Sequence, residues 1–83
     1  MVESTPRVMK VVIAMRAHPG LLWDVETFVS SELGSLRAKT VWQAIGAHAA
    51  LAADVTRAEV YEAALELGMR LHPARAKALE GEA

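Results

Sequence analysis

Apolar and polar residues alternate from Arg7 to Arg16. Arg7, Met9, Val11, Ile13 and Met15 fall on one side of an extended chain, and Val8, Lys10, Val12, Ala14 and Arg16 on the other. The β-branched run Val11-Val12-Ile13 favours a strand over a helix, so this stretch predicts one N-terminal β-strand. Its first side is the more apolar, and Met9, Val11, Ile13 and Met15 are its expected core. Lys10 and Arg16 mark the other side as the wet face. Beyond His18-Pro19-Gly20 the period becomes helical. Leu22, Val25, Phe28, Val29 and Leu33 predict a first helix over about residues 20–33, with Gly34 as its C-cap. Ser35 is placed to cap a second helix whose inner stripe is Val41, Ala44, Ile45, His48 and Ala52. Thr56 and Glu59 stand at capping-box spacing and open a third helix, which His72-Pro73 ends. Residues 1–6 then read as a disordered arm, 7–72 as a single β-α-α-α domain and 73–83 as a polar tail.

A lone strand leaves its N–H and C=O groups unpaired, and an open edge invites association. The pattern offers no second strand, so the simplest partner is another copy of the chain. The predicted fold class is mainly α with one N-terminal β-strand, in an intertwined homodimer closed by an intermolecular antiparallel ribbon.

At 83 residues the chain makes one domain of modest core. It has no cysteine, which excludes disulfides and thiolate metal sites. No apolar run approaches the ~20 residues that span a bilayer, and the N-terminus lacks the apolar segment of a secretory signal. The expectation is a soluble, cytoplasmic protein with no membrane partner. A net charge of −1 argues against binding nucleic acid by bulk electrostatics. His18, His48 and His72 show no metal-ligand spacing. Ser30, Ser31 and Ser35 have no base or elbow motif beside them, and there is no phosphate-cradling glycine loop. The chain is expected not to be an enzyme and to need neither metal nor cofactor.

Arg16-Ala17-His18-Pro19 at the strand exit, Glu32-Leu33-Gly34 at a helix end, and Arg37-Ala38 with Val41, Ala44 and Ile45 beyond it form a pattern. Over residues 7–51 it resembles the ribbon-helix-helix family of small dimeric DNA-binding proteins. Leu36 and Lys39 depart from it, standing where the family more often has Ser or Thr and Glu. The resemblance implies a DNA-binding regulator, such as a repressor, an antitoxin-type protein or a plasmid or phage maintenance factor. It implies that the paired strands enter the major groove. By position, Lys10, Val12 and Ala14 would then face base edges, while Arg16, Leu36, Arg37 and Ala38 would face phosphates. The expected partners are a second copy of the chain and double-stranded DNA. The alternative is a small helical adaptor or inhibitor that binds a protein through Trp23 and Trp42, with no role for DNA.

Overall fold

The computed structural model describes residues 5–51 and 54–81. Among them are five helices and no strand: α1 Pro6–Ala17, α2 Pro19–Ser30, α3 Leu36–Gly46, α4 Arg57–Glu66 and α5 Pro73–Gly81. The predicted N-terminal strand and its intermolecular ribbon are therefore wrong. The reason lies in a second period hidden in the same residues. Val8, Val11, Val12 and Met15 are spaced i, i+3, i+4, i+7, and all are at most 1% exposed. The Thr5 side chain accepts a hydrogen bond from Val8 N–H, and Pro6 occupies the first helical turn, where its missing N–H does no harm. The helix penalty of β-branched residues is below about 0.7 kcal/mol each, while burying a valine side chain contributes about 1.5–3 kcal/mol. Burial wins.

Of the predicted ribbon core, Val11 and Met15 are buried, but Met9 and Ile13 are 38% and 61% exposed. Of the predicted base readers, Val12 and Ala14 lie in the core, at 1% and 6% exposed. Only Lys10 of that set faces solvent. With the strand gone, the argument for a dimer through strand pairing goes too.

The remaining helix starts follow their local signals, but the ends and stripes do so less well. The first predicted helix stops at Ser30, with Ser31 and not Gly34 as its C-cap, and Leu33 is exposed. Of the second helix's expected stripe, Ile45 is buried and Val41 half-buried, while Ala44 is exposed, His48 lies beyond the helix end and Ala52 falls outside the described residues. Pro19 forces His18 out of helical conformation (φ −127°, ψ 95°), which separates α1 from α2. Ser35 caps α3 by accepting from Ala38 N–H at 3.2 Å, and Gly34, at φ +80°, makes the turn before it. Thr56 and Glu59 form a complete capping box on α4. At the other end of α4, Gly68 is at φ +78° and donates to Leu65 O, while Met69 donates to Ala64 O at 2.9 Å. That is a Schellman ending, so the third predicted helix stops five residues short of Leu71.

Helices α1, α2 and α4 pack on one another, α3 lies on α2, and α5 lies on α4. The core holds Val8, Val11, Val12 and Met15 of α1, Leu21, Val25, Phe28 and Val29 of α2, and Val60, Tyr61, Ala63 and Ala64 of α4. At the N-terminal ends of α1 and α4, Arg7 joins both Glu59 and Asp54. The segment read from the sequence as a polar tail is helical over Pro73–Gly81 and sends Arg75 into the core, 1% exposed. Of the predicted arm, residues 1–4 lie outside the described residues, while Thr5 and Pro6 begin α1. No helix among the described residues is long and apolar enough to cross a membrane.

Candidate functional site

Helix α3 buries only Ala38 and Ile45 outright. Leu36, Arg37, Lys39, Thr40, Gln43 and Ala44 are all exposed. At about 100° per residue, Leu36, Thr40 and Gln43 form the centre of the open face. Lys39 borders it on one side, and Arg37 and Ala44 on the other. No carboxylate occurs anywhere in α3. A helix so placed offers a neutral, hydrogen-bonding centre between two cationic edges.

Only the Lys39 edge is reinforced by a cation from a neighbouring helix. On the Lys39 side, Trp42 packs against Phe28 of α2 with ring centroids 5.0 Å apart. The Arg57 guanidinium of α4 lies over the Trp42 ring, 5.5 Å from its centroid. That cation–π contact holds a third cation beside α3. On the Arg37 side there is an open cleft of about 420 Å³ lined by Glu26, Thr27, Ser30, Ser31, Glu32, Ser35 and Arg37. Glu26 and Glu32 make that edge mixed in charge.

The predicted phosphate contacts are only partly brought together. Leu36 is 80% exposed, and Arg37 is exposed. Ala38 is buried, and its N–H already donates to Ser35 Oγ, so it has nothing to give a phosphate. Arg16 lines a different groove, with Leu22, Leu67, Met69 and Arg70, while Glu26 and Ser30 border both it and the Arg37 cleft. The outer ridge of α2 thus separates Arg16 from Arg37. The two tryptophans also part company: Trp23 is 61% exposed, whereas Trp42 is half-buried under Arg57.

Sequence reasoning passed over Lys39, Thr40, Gln43 and Arg57 as contact residues. For the first three the signal was present, as the polar positions opposite Ala38 and Ile45 on the helix. For Arg57 there was none, because its partner Trp42 is fifteen residues away and meets it only in the fold.

The histidines are not as scattered as the sequence implies. His18 and His48 meet edge to face with centroids 5.0 Å apart. His48 Nδ1 accepts the Ala50 N–H at 3.2 Å, which puts the ring proton of the neutral form on Nε2 and leaves neither nitrogen with a free lone pair for a metal. Among the described residues no three His, Cys, Asp or Glu side chains cluster as metal ligands would. Ser30 and Ser31 donate to helix carbonyls of α2, and Ser35 is a cap. None of the three has a base beside it in a hydrogen bond.

The Arg7–Glu59–Asp54 cluster has the clearest electrostatic signature, and it is structural. Arg7 Nε donates to Glu59 Oε2, Nη1 to Asp54 Oδ2 at 3.2 Å and Nη2 to the Asp54 carbonyl at 3.0 Å. The hydrogen bond from Arg7 lowers the Glu59 carboxyl to about 2 and also holds Asp54 below its ordinary value. Glu59 is at the same time the capping-box residue of α4, so this ion pair ties the starts of two helices together.

No protein-family model, curated protein or solved structure matches the chain.

Proposed function

We propose that this protein binds double-stranded DNA, with α3 as the helix that enters the major groove and α2 with the turn 31–35 as its support. The observation that carries the reading is the open face of α3. Leu36, Thr40 and Gln43 stand at its centre, Arg37 and Lys39 at its edges, and there is no carboxylate on the helix. A major groove about 12 Å wide admits one α-helix, and glutamine is suited to the paired donor and acceptor of adenine. Cations on both flanks of such a helix match the two phosphate backbones that wall the groove. A helix pair joined by a short glycine-bearing turn is one of the arrangements that present a helix this way. This moves the expected DNA contacts from α1 to α3: Arg37 stays a phosphate contact, Lys39 and Arg57 join it, and Gln43 takes the base-reading role. Thr40, whose hydroxyl already donates to the Leu36 carbonyl at 3.0 Å, stands beside it as an acceptor.

The test is fluorescence anisotropy of a labelled duplex, chosen by selection from a random pool, at salt concentrations between about 50 and 200 mM. Affinity should fall log-linearly with salt. Arg37→Ala and Lys39→Ala should each lower the slope by about 1, while Gln43→Ala should relax sequence preference and leave the slope alone. Absence of salt-dependent binding at the low end would refute the reading.

A second reading, the protein-binding adaptor, is favoured by one observation, the 61% exposure of Trp23. Trp42 no longer contributes to it. If this reading holds, Trp23→Ala abolishes capture of a protein partner, and Lys39→Ala does not.

A further inference from the structure

Arg75 is the one fully buried charged side chain among the described residues, and no carboxylate meets it. Burying a charge without a counter-charge is costly, so the pocket must offset it in other ways. Nη1 donates to the Tyr61 hydroxyl at 3.0 Å, and Nε to the Ser31 carbonyl at 3.2 Å. The guanidinium lies 4.1 Å from the centroid of Phe28 and 5.8 Å from that of Tyr61. Ser31 is the C-cap of α2, where the last carbonyls carry the negative end of the helix dipole. The charge is thus balanced by a helix end, a hydroxyl and two ring faces. Nη2 has no hydrogen-bond partner, so the fit is incomplete.

A buried charge with one N–H group left unpartnered is a costly way to fill a slot in a core. What it contacts is more informative. Ser31 is the first residue of the turn that leads into α3. Phe28, under the guanidinium, is also the ring on which Trp42 of α3 packs. One residue chain-wise from α5, His72 N–H donates to the Val29 carbonyl at 2.7 Å. Arg75 and its strap therefore grip the end of α2 at the point where α3's direction is set.

We propose that Arg75 is a positioning residue for α3. Docked α5 clamps the C-terminus of α2 and the turn 31–35, and thereby fixes how the Leu36–Thr40–Gln43 face is presented. The DNA readout of this inference rests on the function proposed above; its structural readout does not. The experiment uses the full chain with Arg75→Met, which fills the slot without charge. The variant should fold with a somewhat lowered Tm, because the Tyr61 hydroxyl and the Ser31 carbonyl lose their donor. Amide hydrogen exchange at residues 31–38 should accelerate about tenfold, the effect of losing one hydrogen bond to a charged group. DNA affinity should drop by a similar factor with the salt slope unchanged, because no phosphate contact is lost. Unchanged exchange at 31–38 in a folded Arg75→Met protein would overturn the proposal whatever happens to DNA. If the wild type binds no DNA, the functional reading fails and the exchange arm still decides this one. If Arg75→Met does not fold, Tyr61→Phe takes its place, since it removes the hydroxyl and keeps the ring. Faster exchange at the same amides supports the clamp, and unchanged exchange refutes it.

Discussion

Helices α1 and α3 are of nearly equal length, twelve and eleven residues, and both mix cations with apolar residues. They are used in opposite ways. Helix α1 buries Val8, Val11, Val12, Ala14 and Met15 against two other helices, and its Arg7 is tied into an ion pair. Helix α3 rests on α2, buries Ala38 and Ile45, and leaves both its cations, Arg37 and Lys39, and Gln43 open. The difference teaches that residue type does not mark a contact helix. What marks it is how much of its circumference the rest of the fold leaves uncovered. The reading that put DNA on the α1 segment chose cations by sequence position. Helix α1 also keeps an open face without carboxylates, with Lys10 and Arg16 beside exposed Met9 and Ile13, but the centre of that face is apolar, whereas α3 puts Thr40 and Gln43 at the centre of its own.

The largest effect expected from this contrast is on stability at α1. Met15→Ala should cost about 2–5 kcal/mol in denaturant unfolding, because the side chain is fully buried and leaves a cavity. Gln43→Ala on α3 should leave stability within about 0.5 kcal/mol. It should cost about 1–3 kcal/mol of discrimination between cognate and altered duplex. A Gln43→Ala protein that is destabilised as much as Met15→Ala would erase the distinction between the two helices.

Removing the α4 cap with Thr56→Ala should cost about 1 kcal/mol, measured by the same unfolding curves. The neighbouring Glu59 makes part of this stability depend on pH. Its carboxyl is lowered in the folded state from 4.5 to about 2 by Arg7. The stabilisation from this group is therefore complete above the unfolded value and is lost as pH falls through the folded one. The denaturant midpoint should fall between pH 4.5 and 2, and the fall should be shallower in Glu59→Gln. An identical acid profile for that variant would remove the Arg7–Glu59 pair from the account of how α1 and α4 are joined.

The smallest effect is expected for Lys10→Ala. Lys10 is exposed on α1, outside the open face of α3, and should change neither stability nor DNA affinity measurably. Loss of DNA binding in Lys10→Ala with retention in Lys39→Ala would reverse the assignment of the two helices.

Much of the local structure was legible in advance. Pro19, the Ser35 cap, Gly34 and the Thr56–Glu59 box act within one or two turns of chain, so the starts of α2, α3 and α4 follow from neighbours in sequence. The N-terminal segment was misread because Arg7–Arg16 satisfies two periods at once. Met9, Val11, Ile13 and Met15 alternate, while Val8, Val11, Val12 and Met15 recur at helical spacing. Thr5-Pro6 was the local signal that could have decided between them. At α3 the candidate site was half visible, as a polar stripe opposite Ala38 and Ile45, but nothing local said that no other element would cover it.

By itself, then, the chain determined where α2, α3 and α4 begin, because caps and prolines are short-range devices. It also determined which residue types were on hand for contact. The tertiary structure decided whether Val12 and Ala14 would be surface or core, whether Arg57 would lie on Trp42, and whether Arg75 of an apparently solvated tail would be drawn into the core against Phe28. Those outcomes depend on which apolar faces find each other across tens of residues. Burial energy is set by that meeting, and no local pattern contains it.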